Sequence, residues 1–374
     1  MTTITRRRFL ASTAALSLVG PRTLFGAPKQ GAATLFIGNG GAEGIFSASW
    51  NAFSGEPGPL ELAAACDHPG FLALSRNGRN LYAGGNTKAP VGTISSFARE
   101  GSKLTLLNQT SSGGQNPCHL ALSQNGWAFA ANYGSGQWLA TRILADGRLS
   151  DGGSIESPVG HGPNANRQDK SHTHWTTMAP NGHFVYVNDL GSDRIWLHTF
   201  SPAAGPKLLP EQSYAATPGS GPRTLHFHPR LPLAYAVHEL DSSIVLLSWN
   251  ATTGELKPLE RYALLPEGYT GSSAGCDLAI LRDARHLYAI NRGNNFVATF
   301  SVDGKTGRLT LLERSDCGGK TPRHLALDPT ERWLLIANQD SGSVAILPRD
   351  PATGRLGKVA QTTTTPTPMC LLFG

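Results

Sequence analysis

The chain is poor in charge. Only 16% of its 374 residues are Asp, Glu, Lys or Arg, against 40% apolar. That balance excludes a disordered or solvating chain. No run of 18 or more apolar residues occurs, so no membrane span is expected. Cysteine is scarce, and the five present (Cys66, Cys118, Cys276, Cys317 and Cys370) form no Cys-x-x-Cys. Zinc-knuckle and dithiol spacings are thereby excluded. A single Cys276–Cys317 or Cys66–Cys370 bridge stays open. No P-loop, EF-hand loop or His-Glu-x-x-His is present. Gly38-Asn39-Gly40-Gly41 is glycine-rich but opens no helix, so it is no phosphate cradle. What the chain has in quantity is turn residues, with Gly 43 and Pro 25.

The first residues are read as a targeting segment rather than as structure. Thr5-Arg6-Arg7-Arg8-Phe9-Leu10 carries paired arginines, an apolar stretch runs from Phe9 to Val19, and small residues close it near Gly26-Ala27. The segment resembles a twin-arginine export signal, which implies a periplasmic protein. Its removal takes away Arg6, Arg7, Arg8 and Arg22 and no acid, so the formal charge falls from +6 to 6 − 4 = +2. The basicity is then mostly signal, and a nucleic-acid partner loses its electrostatic support. The domains expected are residues 1–27, the signal, and 28–374, one folded domain.

An internal repeat decides the fold class. Seven short apolar strands begin at Pro69, Pro117, His172, Pro222, Gly275, Pro322 and Pro368, with spacings of 48, 55, 50, 53, 47 and 46. Each is followed by a turn, a second and more apolar strand, an alternating third strand and an outer fourth. A Thr-Gly-x-Leu turn precedes the fourth at Thr253, Thr306 and Thr353. A period near 50 made of strands implies an all-β, seven-bladed β-propeller with four-stranded antiparallel blades. The seventh first strand ends the chain, while Thr34–Gly38, Gly44–Trp50 and Leu60–Ala65 supply three strands with no first. The last blade is therefore expected to close with one C-terminal and three N-terminal strands, which removes open edges.

Topology places the openings of the first strands and the ends of the second strands at one mouth of the central channel. The second strands end in Asn132-Tyr133, Asn188-Asp189, His238-Glu239, Asn291-Arg292 and Asn338-Gln339, with Gly38-Asn39 and Gly85-Asn86 less clean. The recurring Asn is read as structural, bonding the backbone of its own turn. The next residue varies, so the blade does not dictate it. The first-strand openings vary too. The mouth is thus expected to gather His119, His174, His324, Arg223, Arg292, Arg323, Asp189, Glu239 and Asp277, with Tyr133 beside them. Asp189 is set aside as a turn residue paired with Arg194. Of His226 and His228, one is expected to pack between blades. His172 and His174 share a strand face and could bind metal, yet no third ligand is signalled, so neither metal nor cofactor is assigned. So many ionisable groups in one place favour a functional site over ion pairs kept for stability.

At these residues the chain resembles the seven-bladed β-propeller lactonases, which include propeller-type 6-phosphogluconolactonases and the fungal carboxymuconate lactonizing enzyme. The shared motifs are Ala131-Asn-Tyr-Gly-Ser-Gly136, His172-Thr-His174, Asp189-Leu-Gly-Ser-Asp-Arg194, Gly219-Ser-Gly-Pro-Arg223, His238-Glu-Leu240, Asn291-Arg-Gly293, Pro322-Arg323 and Pro368-Met-Cys370. The resemblance implies a catalytic quartet of His174, Arg223, Glu239 and Arg292; His119, Tyr133, Asp277, Arg323 and His324, which topology brings to the same mouth, are expected to bind substrate. It departs from the family pattern at Thr224, at Cys276-Asp277 and at His238. The expected activity is hydrolysis of a sugar-type lactone by an exported protein, a monomer or weak oligomer, acting on a small molecule. Glu239 or His174 would take the proton from water, and Arg223 and Arg292 would hold the developing oxyanion. A related cycloisomerase or sugar-modifying enzyme, and a non-catalytic binding propeller, remain open at this point.

Overall fold

The structure, a computed structural model, describes residues 33–85 and 89–374. The export segment and Asn86 lie outside the described residues. The described residues form one compact unit. It consists of seven antiparallel sheets, and the described residues hold one short helical turn, Pro210–Gln212. No helix among them is long and apolar enough to cross a membrane.

In each blade four strands, a to d, run outward from the channel. Strands a are Phe71–Leu74, Pro117–Leu122, Thr173–Met178, Pro222–Phe227, Ala274–Ile280, Pro322–Leu327 and Pro368–Phe373, for blades one to seven. Strand d is broken in two in blades three and seven. In blade seven the C-terminal Pro368–Phe373 pairs with Ala33–Asn39, Leu35 opposite Phe373. The two chain ends are thus stitched by a β-ladder. Behind it Leu35, Ile37, Trp50 and Leu371 pack against Leu335 and Ile346 of blade six, so closure also buries apolar surface.

The core lies between blades. One layer joins Tyr235, Val237 and Leu246 of blade four to Leu278, Leu287 and Phe300 of blade five. A repeated bond crosses these layers. The Tyr186, Tyr235 and Tyr288 hydroxyls donate to the carbonyls of Gly254, Gly307 and Gly354 at 2.6, 2.6 and 2.7 Å. Those glycines sit at φ of 78°, 69° and 73° in the Thr-Gly turns, where a side chain would strain the backbone. The turn signature is therefore a clip between blades as well as a hairpin.

Two sequence expectations change. All five cysteines are free thiols, so neither proposed bridge forms. The recurring Asn reaches beyond its own turn. Asn132 Nδ2 donates to Ser112 O at 2.8 Å, and Asn338 Nδ2 to Cys317 O at 3.0 Å, each tying strand b to the end of the preceding blade's outer strand.

Candidate active site

A one-residue bulge builds the site. Where strands a and b meet at the mouth, the ladder skips the second residue of strand a. In blade two Pro117 faces Asn132 and His119 faces Ala131, so Cys118 is unpaired. The same skip frees Arg223, Cys276, Arg323 and Met369. A bulge of this kind re-aims the freed side chain. In blade three Thr173 faces Asp189 and Trp175 faces Asn188, so the freed residue is His174. Its repeat therefore starts at Thr173, one residue later than the spacing from His172 implies. His174 belongs with Cys118, Arg223 and Arg323, and Trp175 with His119, Asp277 and His324.

That shift divides the expected site into two layers. Cys118, His174 and Arg323 line a cup at the mouth with Asn116, Tyr133, Arg167, Glu239 and Arg292. His119, Asp277 and His324 are absent from its wall. They belong to a ring one step down the channel. Phe71 lies 4.3 Å from His119, and His119 stacks on Trp175 at 3.5 Å. Trp175 touches His226 at 5.3 Å, and His226 Nε2 meets Asp277 Oδ1 at 3.1 Å. His324 Nε2 is 3.9 Å from Asp277 Oδ2, and the His324 ring returns to Phe71 at 5.7 Å. The ring stands under the cup as its floor, because strand a runs inward from the mouth. His226 thus packs in the channel, not between blades.

Glu239 is the centre of the cup. Its side chain is 3% exposed and meets three guanidinium groups. Arg292 Nη2 is 2.7 Å from Oε2, Arg223 Nε 3.0 Å from Oε2, and Arg167 Nη2 2.5 Å from Oε1. Burial alone would raise the carboxyl, but the Arg292, Arg223 and Arg167 guanidinium groups outweigh it and hold Glu239 well below the usual carboxylate range. Arg223 stands behind the wall, its Nη1 also donating to the Cys276 carbonyl. Arg323 has no carboxylate within ion-pair distance among the described residues; burial, Arg223 and Arg292 push it down to about 10. His174 is held well below its ordinary value, first by burial and then by Arg223, so its imidazole is neutral. Its Nδ1 is buried without a partner among the protein atoms.

Arg167 has no place in the repeat. It comes from the connection between blades two and three, which makes the longest repeat spacing, 55 residues by the His172 start and 173 − 117 = 56 by the observed register. That length flags an insertion at the mouth, and the arginine inside it could have been found from that signal. Tyr133 accepts from Arg167 Nε and Nη2 at 3.2 and 3.1 Å. One further motif is a chance match. Gly271-Ser-Ser-Ala-Gly275 has the spacing of a nucleophile elbow, but it leads into a strand, and Ser273 Oγ contacts Ser242 Oγ at 2.5 Å and Asn291 Oδ1 at 3.2 Å.

The family departures stand behind the cup wall. Thr224 is wholly buried, Asp277 is in the ring, and the Cys276 thiol donates to Arg323 O at 3.1 Å. His238 is fully buried, and burial pushes it down to about 3. Asp189 accepts from Ser171 Oγ, His172 N, Ser192 Oγ and Trp196 Nε1 at 2.6, 2.7, 2.6 and 3.0 Å. It is a turn organiser, as expected, but through neutral donors rather than a pair with Arg194. His172 does not join His174: its Nδ1 meets Tyr133 O at 2.8 Å and its Nε2 meets Asp169 at 2.9 Å. No metal-holding group of three His, Cys, Asp or Glu occurs among the described residues.

These buried groups set a pH dependence of stability. His119, His174, His238 and His324 stay neutral in the folded protein at pH values where the unfolded chain protonates them. The unfolded state then binds more protons, so stability falls as pH drops below about 6.5. Glu239 and Asp277, both held low, act in the same direction at still lower pH. Urea midpoints are expected to be level from pH 8 to 7 and to decline steadily below. A midpoint that holds or rises toward pH 5 would contradict the buried neutral histidines.

Comparison with known proteins agrees with the propeller fold. A family model described as Lactonase, 7-bladed beta-propeller, matches residues 26–373. The 6-phosphogluconolactonase of Bacillus subtilis is 32% identical over 336 residues, covering 89% of this chain and 95% of that protein. A 6-phosphogluconolactonase of Formosa agariphila is 30% identical, covering 85% and 92%. Among solved structures, the periplasmic gluconolactonase PpgL of Pseudomonas aeruginosa superimposes with a TM-score of 0.85 at 27% identity, covering 92% of this chain and 99% of that one.

Proposed function

Because the chain belongs to the seven-bladed β-propeller lactonase family, we propose that it opens a sugar-type lactone in the cup at the channel mouth, outside the cytoplasm. The reading rests on one observation: three arginines hold a single carboxylate, and a fourth, Arg323, lines the same cup beside a neutral histidine with no carboxylate of its own. Such a cup carries excess positive charge. It suits a small molecule that brings negative charge, or develops it during reaction.

In this reading His174 takes a proton from water, because its imidazole is unprotonated at neutral pH. The water oxygen bonds to the lactone carbonyl carbon. Charge moves to the carbonyl oxygen, where Arg292 and Arg323 stabilise it from the cup wall. The ring C–O bond then breaks, and the proton held by His174 passes to the departing ring oxygen. The products are a hydroxyl and a carboxylic acid, which loses its proton to solvent and leaves as the carboxylate. Glu239, pinned by its arginines, is a poor base. Its part is to fix Arg223 and Arg292 and to accept a substrate hydroxyl. His119, Asp277 and His324 support the cup from below, and Tyr133 lines it.

Export is proposed from the paired arginines of the N-terminal segment, and the periplasmic gluconolactonase supplies a precedent of similar fold. The test is acid release from a panel of sugar lactones by the mature protein, with and without chelator, against spontaneous hydrolysis. The expected result is turnover above background that chelator leaves unchanged. No turnover across the panel would overturn the reading in favour of a cycloisomerase or a binding propeller.

A further inference from the structure

Three arginines hold Glu239, but they are not alike. Arg223 and Arg292 sit on or at the end of strands, with side chains 4% and 18% exposed. Arg167 is on the connecting loop, and its side chain is 39% exposed. The backbone beneath it is pinned. Gln168 is fully buried, donating through Nε2 to Leu190 O at 2.9 Å, while Arg167 N donates to Asn164 O at 3.0 Å. His172 holds Asp169 on the far side. So the loop backbone is pinned while the Arg167 side chain stays partly open to water, bonded to the site among the described residues through Tyr133 and Glu239.

Arg167 also divides the mouth. On one side is the cup with His174 and Arg323; on the other is a second hollow lined by Ser272, Ser273, Ala274, Gly293 and Thr321. Arg167, Glu239 and Arg292 are walls of both. A ligand spanning the two must displace the Arg167–Glu239 bridge.

We propose that Arg167 is the anion-reading arm of the site. It leaves Glu239 for an anionic group on the ligand, and Glu239 Oε1 is then released to accept a ligand hydroxyl. The inference rests on the proposed lactonase reading and adds a residue to it. The exchange is nearly balanced in charge, because one anion replaces another at the same guanidinium. An uncharged lactone offers no such exchange, so the bridge stays shut against it. Arg167 thereby selects lactones that carry a phosphate or carboxylate away from the ring carbonyl.

The experiment compares the mature protein with Arg167→Ala and Arg167→Lys. Calorimetric titration uses inorganic phosphate, and turnover uses gluconolactone with and without a 6-phosphate. Loss of a hydrogen-bonded charge weakens binding by roughly 10- to 100-fold. Arg167→Ala is therefore expected to weaken phosphate binding by that factor and to raise KM for the phosphorylated lactone equally. For the uncharged lactone the same substitution frees Glu239 Oε1, so its KM is expected to fall rather than rise, and Arg167→Lys keeps part of the phosphate affinity. Phosphate binding equal in Arg167→Ala and the unaltered protein would overturn the proposal, as would an equal loss on both lactones. If no lactone is turned over, the lactonase reading fails by itself, and the phosphate titration still decides the role of Arg167.

Discussion

Glu239→Gln is expected to abolish turnover and to leave a folded but weakened protein. The substitution keeps the shape of the side chain and removes its charge. Arg167, Arg223 and Arg292 then face one another with no carboxylate between them. Breaking a buried ion pair by removing one partner costs about 3 kcal/mol or more. Here the lower end applies, because Arg167 can turn into water. Seven interlocked blades absorb a loss of that size, so circular dichroism should retain the all-strand spectrum while the unfolding midpoint falls. Activity suffers more. The cup loses the anchor of Arg223 and Arg292 together, and removal of a single preorganised charge-stabilising group already costs about 10²–10³ in kcat. Phosphate should restore part of the stability, since an anion in the cup replaces the missing charge. Retention of near-normal kcat/KM would remove Glu239 and its arginines from the reaction.

His174→Gln is expected to lower kcat by roughly 10²–10⁴, the usual worth of a general base, with little change in KM. The pH profile distinguishes this role from a structural one. Burial and Arg223 hold His174 well below its ordinary value, so its basic form persists into acid. Plots of kcat/KM corrected for spontaneous hydrolysis should stay flat through pH 6.5 and bend only below it. A bend at 6.5 would assign the titration to an exposed histidine instead. In His174→Gln the acid limb should disappear, and the residual rate should follow hydroxide.

Much of the architecture was legible because a blade is a local object. Two strands, a turn and an apolar alternation lie within fifty residues, so the period, the Thr-Gly turns and the unmatched terminal strands declare a closed propeller. The second-strand ends Glu239 and Arg292 were legible for the same reason, since each closes a recognisable strand at the mouth.

What failed were matters of a single residue or of long range. The reading that started blade three at His172 missed its register by one, because the phase of a strand is set by its hydrogen-bond partner, Asp189 opposite Thr173, and not by spacing. That one step moves His174 into the cup and puts Trp175, rather than a histidine, beside His119 in the ring. His119, Asp277 and His324 lie in the ring beneath the cup and not in its wall, because the bulge gives the wall position to the residue before each of them.

The sequence by itself determined the repeat, the number of blades, the way the ring closes and the mouth at which the ionisable residues gather, because each follows from contacts within a blade or from counting strands. Only the tertiary structure decided which of the gathered residues share a cup, which lie beneath it, and that Arg167 from an unrepeated loop reaches Glu239. Those depend on bulges and on contacts between residues 72 apart, where no local pattern records the partner.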